Sequence, residues 1–225
     1  MIRAVIFDLD GTLYPLKPST TLALERAQAY AVREMSLPPE QFRAEYDKAL
    51  ARQLSDHVGT FCYHSRIIRF QLVCESLGLP IRYAPRLAAA YWEGYLEPMK
   101  PFDGVAEALG KLKRQGLRLG VGTNMTAEWQ FSKLEKLGLI DSFDFIVTSE
   151  EAGVEKPAAA FFRYCANKAK LPVGECLFVG DNLEYDVRGA TAAGLKALWL
   201  QADPAQREAA DVPSIASWSE LPGSI

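Results

Sequence analysis

Ala4-Val5-Ile6-Phe7-Asp8-Leu9-Asp10-Gly11-Thr12 is the stretch that decides the fold. Four apolar β-formers in a row, without polar alternation, predict a strand buried on both faces, as in a parallel sheet. Two carboxylates follow at once, and Gly11 then permits the chain to turn. Beyond this stretch the grammar changes. From about 19 to 97 the chain is rich in Ala, Leu, Glu, Arg and Gln with helical periodicity. Breaks at Leu37-Pro38-Pro39, His57-Val58-Gly59 and Gly78-Leu79-Pro80 divide it into expected helices over 19–35, 39–55, 61–77 and 84–96.

After Pro98 and Pro101 short apolar runs alternate with helical segments. Helices are expected over 104–115, 126–137, 158–169 and 184–193, and strands over 117–122, 143–148, 176–180 and 195–200. That alternation means βαβ units and a parallel sheet. The expectation is therefore an α/β protein with a doubly wound, Rossmann-like parallel core over 1–15 and 100–225. An α-helical cap domain over 16–99 interrupts it directly after the first strand. Connections near 13–17 and 97–102 are the hinge candidates. The polar, Pro-rich tail from 203 to 225 carries no clear element.

Composition excludes several classes. The 225 residues are 49% hydrophobic and 24% charged, which is ordinary for a globular chain and excludes global disorder. No apolar run approaches the ~20 residues that span a bilayer, and the first residues lack the pattern of a signal peptide. A cytoplasmic protein without membrane contact is expected. A net charge of −3 argues against a nucleic-acid polymer as partner. Cys62, Cys74, Cys165 and Cys176 form no C-x-x-C pair and read as small buried hydrophobes in a reducing compartment. Monomer or homodimer are both open.

Four polar clusters each follow an expected buried strand: Asp8 with Asp10, Thr123 with Asn124, Lys156, and Asp181 with Asp186. In a parallel sheet such strand ends converge on one edge. Carboxylates gathered there repel one another and lose hydration, so they require a cation, and hard oxygen donors suit Mg2+. Charge bookkeeping agrees. Residues 16–98 hold 10 Lys/Arg and 9 Asp/Glu, a balance of +1; the rest hold 15 and 19, a balance of −4, together the chain's −3. The four aspartates account for that −4. Each aspartate alone would read as a strand-end or helix-capping residue, but four aligned clusters outweigh that reading. With two carboxylates side by side, one can attack an electrophile while the other handles protons. On phosphorus such an attack gives an aspartyl-phosphate.

These strings carry a resemblance. Phe7-Asp8-Leu9-Asp10-Gly11-Thr12-Leu13 resembles the first motif of the haloacid dehalogenase-like hydrolase superfamily. Gly122-Thr123-Asn124 resembles its second, Lys156-Pro157 its third, and Gly180-Asp181 through Asp186 its fourth. The helical insert is similar to the α-helical C1 cap of one subfamily. The resemblance implies roles by position. Asp8 is the nucleophile, and Asp10 the acid/base that protonates the leaving oxygen and later activates water. Thr123 and Lys156 hold the phosphoryl oxygens, and Asn124 donates a hydrogen bond to Asp8 or phosphate. Asp181 is a Mg2+ ligand together with the Asp8 carboxylate and the Asp10 backbone carbonyl. Asp186 positions Lys156 or a metal-bound water. Tyr185 stands where many relatives carry a small polar residue.

Dehalogenases of this family generally lack an acid at the place of Asp10, because a halide leaves without a proton. Sugar phosphomutases usually carry a Val-like residue where Thr12 stands. The expected activity is therefore a Mg2+-dependent phosphomonoesterase acting on a small phosphorylated metabolite. Leu13-Tyr14-Pro15 resembles some capped nucleotidases and tilts the expectation toward a nucleoside monophosphate. The alternatives are a dehalogenase or phosphomutase on the same fold, or a non-catalytic binding protein. In the helical insert, His64 and Arg66 are candidates for contact with the leaving group. For them and for His57, Tyr63 and Arg69 a solvated helix face is the plainer reading. Trp92, Tyr95, Trp129 and Phe131 read as core or snorkelling surface.

Overall fold

The structure, a computed structural model, describes residues 1–57 and 61–225. Strand β1 (Ala4–Phe7) is wholly buried. It pairs in parallel with β2 (Arg118–Thr123) on one side and β4 (Cys176–Gly180) on the other. β3 (Phe145–Thr148) extends the sheet beyond β2, and β5 (Lys196–Leu200) and β6 (Ser214–Ile215) extend it beyond β4. The order β3-β2-β1-β4-β5-β6 is that of a doubly wound, Rossmann-like parallel sheet. Successive residues of β1 alternate between faces. Ala4 and Ile6 enter a cluster with Phe161, Phe162 and Cys165 of α8 (Ala159–Ala169). Phe7 packs instead against Trp218 and Phe143. Fully burying an aliphatic or aromatic side chain contributes about 1.5–3 kcal/mol, so β1 anchors the sheet from both sides.

The chain divides into two compact units, Met1–Pro15 with Lys100–Ile225, and Leu16–Met99. The first also holds α5 (Val105–Arg114), α6 (Ala127–Lys136), α7 (Ser149–Ala152), α9 (Gly189–Ala192) and α10 (Pro204–Ala210). The second is helical: α1 (Leu16–Met35), α2 (Pro39–Asp56), α3 (Arg66–Ser76) and α4 (Tyr83–Leu96). Ala23, Ala27 and Ala31 form a buried stripe on α1. Gly94 brings α4 against it: a Cβ there would sit 2.7 Å from the Leu22 carbonyl oxygen.

Three segments differ from the sequence reading. The expected helix over 61–77 is a 3-10 turn, Phe61–His64, followed by α3, because the Ser65 hydroxyl accepts from Ile68 N–H and starts a new helix. The expected helix over 184–193 opens as a wide π-helical turn, Leu183–Arg188, before α9. The tail forms α10 and β6, and Trp218 Nε1 donates to the Thr12 carbonyl at 3.1 Å. The tail thereby fixes the turn that follows β1. No helix among the described residues is long and apolar enough to cross a membrane.

Candidate active site

The ends of β1, β2 and β4 deliver the residues that the sequence singled out. Asp8 leaves β1 with its N–H on the Val179 carbonyl at 2.9 Å, which fixes the carboxylate against β4. Lys156 Nζ bridges Asp8 Oδ1 at 2.5 Å and Asp186 Oδ1 at 2.7 Å, all three side chains being buried. Asp186 reaches this point because of the π-helical turn. Asn182 accepts from the N–H groups of Glu184 and Tyr185, and Asp186 Oδ2 accepts from Asn182 N–H at 3.0 Å. The widened turn aims Asp186 inward and leaves Tyr185 48% exposed.

Asp8, Asp181 and Asp186 each place a carboxylate oxygen within 4.8 Å of the others. Thr12 ties two of them together. Its hydroxyl lies 3.2 Å from Asp8 Oδ2 and 2.9 Å from Asp181 Oδ1, and it accepts from Asp181 N–H at 3.0 Å. Three carboxylates and one ammonium leave a formal charge of −2, which a divalent cation would neutralise. The donor set is all oxygen, as Mg2+ requires. The electrostatics fit the same ion. Burial pushes the Asp8 carboxyl up, Lys156 pulls it down, and the charges of Asp186, Asp181 and Asp10 push it further, to about 8. Burial and then Asp186 likewise raise Asp181. Burial would lower Lys156, but Asp186 and Asp8 outweigh it and raise it, so it stays ammonium.

Asp10 stands apart from that group. Lys133 Nζ donates to its two oxygens at 2.7 and 2.9 Å, Gln130 Nε2 donates to Oδ2 at 2.9 Å, and the Tyr14 hydroxyl donates to Oδ1. Burial alone would raise this carboxyl, but the Lys133 charge and the bonds from Lys133, Tyr14 and Gln130 hold it below the ordinary range. The Asp10 side chain is nonetheless 24% exposed, enough to meet a bound molecule. The sequence reading missed Lys133 and Gln130. The available signal was their i, i+3 spacing on α6, which puts both on one helix face.

The remaining positions are mixed. Thr123 is buried and its hydroxyl accepts from Gln130 Nε2 at 2.5 Å. Asn124 differs from expectation. Its amide oxygen accepts from Lys156 N–H at 2.9 Å and its NH2 donates to the Lys156 carbonyl at 3.3 Å. It therefore clamps the Lys156 peptide rather than donating to Asp8. Among the helical residues, Arg69 is no solvated face: it is 5% exposed and bonded to Gln53 and Tyr46. His57, Tyr63, His64 and Arg66 are half-buried, and the turn over 58–60 lies outside the described residues. Trp92 and Tyr95 are core, while Phe131 is exposed.

Gly11 is required where it stands. Its φ is +92°, and a Cβ would sit 2.5 Å from Asp181 Oδ2. Gly11→Ala is expected to lower stability by about 1–3 kcal/mol, read as a fall in thermal midpoint, with weaker Mg2+ protection than the wild type shows. An unchanged midpoint would mean that the turn relaxes freely.

Comparison with known proteins supplies further findings. A family model described as haloacid dehalogenase-like hydrolase matches residues 2–194. A ribulose-1,5-bisphosphate 5-phosphatase of Halopiger xanaduensis is 39% identical over 92% of this chain and 87% of its own length. A glyceraldehyde 3-phosphate phosphatase of Methanopyrus kandleri is 34% identical over 87% of this chain and 82% of its own. Among solved structures, a 2-haloacid dehalogenase from Pseudomonas syringae superposes with a TM-score of 0.80 at 26% identity, covering 100% of this chain and 98% of that one.

Proposed function

Because the chain belongs to the haloacid dehalogenase-like hydrolases and is a phosphatase of small phosphorylated metabolites, we propose that Asp8 attacks the phosphorus of a sugar phosphate while Asp10 manages the protons. The observation that carries this reading is the divided environment of the two aspartates. Asp8 shares a buried cluster with Lys156, Asp181 and Asp186, whereas Asp10 is held separately by Lys133, Gln130 and Tyr14. Carboxylates with separated environments take separate roles.

In the first step the Asp8 carboxylate bonds to phosphorus, the bond from phosphorus to the leaving oxygen breaks, and that oxygen departs with a proton that the resting Asp10 carboxylate has first taken up from solvent on substrate binding. In the second, Asp10 takes a proton from water, the water oxygen attacks phosphorus, and Asp8 is released with inorganic phosphate. Lys156 and Thr123 hold the phosphoryl oxygens, and Asn124 acts by fixing the Lys156 backbone. A Mg2+ ion held by Asp8, Asp181 and Asp186 would neutralise charge on the transferring group. Asp10, Lys133, Gln130 and Tyr14 serve a proton that a halide would not need, which favours ester hydrolysis over dehalogenation. A nucleotide reading had rested on Leu13-Tyr14-Pro15, but Tyr14 is buried with its hydroxyl on Asp10 and so has another task. Kinship with two sugar-phosphate phosphatases favours a sugar phosphate. We assign the reading of the leaving group to the helical unit, through His64 and Arg66, and place the enzyme in a reducing cytoplasm, where four unpaired thiols persist.

Turnover of para-nitrophenyl phosphate with and without Mg2+ tests the reading, followed by a panel of phosphorylated metabolites. Chelator is expected to abolish turnover, and Asp181→Ala to raise the Mg2+ requirement by about ten- to a hundredfold. Ca2+ should inhibit, because its looser coordination misplaces the attacking carboxylate. Full activity in excess chelator would falsify the metal assignment.

A further inference from the structure

The helical unit buries Arg69 and half-buries Arg66 without giving either an acid among the described residues. Arg69 donates from Nε to Gln53 Oε1 at 2.8 Å and from Nη1 to the Tyr46 hydroxyl at 2.9 Å. Gln53 is itself buried and spends its NH2 on the carbonyls of Cys62 and Ser65. Arg66, one turn earlier on α3, lies over Tyr91 and Trp92, its guanidinium carbon 5.0 and 5.5 Å from the ring centroids. One of its donors reaches the His64 carbonyl at 2.7 Å, while its Nε–H is buried without an acceptor.

Among the described residues every partner of the two guanidiniums is a neutral amide, phenol, carbonyl or ring. Neither arginine forms an ion pair among the described residues. Val58, Gly59 and Thr60 bring no acidic group. Glu34, Glu45, Asp47, Asp56 and Glu97 of the same unit are spent on other bases at the surface. Buried charges are normally paired, because neutral hydrogen bonds replace lost hydration only in part. The two cations also feel each other: burial first, and the Arg66 charge second, depress Arg69. A fork of guanidinium donors with one donor unmatched fits a planar or tetrahedral oxyanion.

We propose that Arg66 and Arg69 form an oxyanion site in the helical unit that takes a carboxylate or phosphate group. Two sources share that chemistry. One is a second acidic group on the substrate itself, which rests on the phosphatase reading above. The other is a free oxyanion acting as an effector. In either case the pair supplies the charge that discriminates, the aromatic rings fix the guanidinium of Arg66, and Gln53 fixes that of Arg69.

The test uses the full chain and two probes. Sodium sulfate is titrated at constant ionic strength while tryptophan fluorescence is followed, Trp92 being the ring under Arg66. A saturable change is expected in the wild type, with affinity at least tenfold weaker in Arg66→Gln. In parallel, kcat/KM is measured for ribulose 1,5-bisphosphate, 3-phosphoglycerate, glyceraldehyde 3-phosphate and para-nitrophenyl phosphate. If the substrate is the source, Arg66→Gln lowers the ratio of the first two to the last two by at least tenfold. If a free effector is the source, sulfate shifts turnover of all four by one common factor, and Arg66→Gln removes that shift. A sulfate response that Arg66→Gln leaves unchanged, together with unchanged substrate ratios, overturns the site. Should Arg66→Gln fail to fold, Arg66→Lys retains charge without the fork and is expected to give a smaller loss in the same direction. Failure of the wild type to turn over para-nitrophenyl phosphate would sink the phosphatase reading while leaving the sulfate arm readable.

Discussion

Asp8→Asn is expected to lose nearly all turnover, by several orders of magnitude, while the protein still folds. The amide keeps the shape of the side chain and removes only the nucleophile and its charge. Loss of a covalent nucleophile is among the largest single effects that mutagenesis records. Retention of more than a tenth of the wild-type rate would sink the assignment. A second readout needs no activity. The folded-state pKa of Asp8 lies at about 8, pushed up first by burial, against an ordinary 3.8. A carboxyl whose folded pKa is raised contributes stability that is complete below pH 3.8 and is lost as pH rises through about 8. An asparagine has no such loss. In chelator, Asp8→Asn should therefore melt above the wild type, by a margin that grows between those two pH values. Mg2+ should shrink the margin by neutralising the carboxylates. A margin independent of pH would mean that Asp8 is not held in a charge-crowded, buried place.

The fold was legible because its signals are local. An unbroken apolar run such as Ala4-Val5-Ile6-Phe7 has only one comfortable place, inside a two-sided sheet. Each glycine or proline after a helical stretch marks a stop that the backbone enforces. Asp8 and Asp181 were legible for a related reason: each follows its strand directly, so the strand carries it to the sheet edge, and Asp10 and Asp186 were read with them from the motif strings. Side chains that arrive from a helix face lack such a marker. Lys133 looks like an ordinary solvated helix lysine, and only folding reveals that it is buried against Asp10. Arg69 was taken for surface on the same ground. Asn124 was expected to serve Asp8 or phosphate, and its bonds to the Lys156 peptide could not be read, since either end of an amide can serve backbone or ligand. The π-helical turn at Asp186 arises from a competition between Asn182 and the helical ladder for the same N–H groups, and periodicity is blind to such a contest.

Lys133 yields the second large prediction. It is buried, it donates to both oxygens of Asp10, and its charge is the chief influence holding that carboxyl ionised against burial. It acts through Asp10 and is therefore a positioning residue. Lys133→Met keeps the length of the side chain and removes the charge. Asp10 would then lose the ammonium that grips both of its oxygens while keeping its bonds from Gln130 and Tyr14, so its direction is less constrained. General acid–base catalysis is worth about 10²–10⁴ in rate, so turnover of an alkyl phosphate such as glyceraldehyde 3-phosphate should fall by at least about a hundredfold. Para-nitrophenyl phosphate separates the two duties of Asp10. Nitrophenolate leaves without a proton, so formation of the aspartyl-phosphate should stay fast, while its hydrolysis still needs Asp10 to activate water. The variant should release one equivalent of nitrophenolate per enzyme in a burst, followed by slow turnover, whereas the alkyl ester shows no burst. Lys133→Arg, which keeps the charge, should recover part of the rate with both. A merely structural lysine would lower the melting temperature and slow both substrates alike, with no burst. Wild-type turnover of the alkyl phosphate by Lys133→Met would mean that Gln130 and Tyr14 suffice to hold Asp10, and that the buried ammonium serves stability alone.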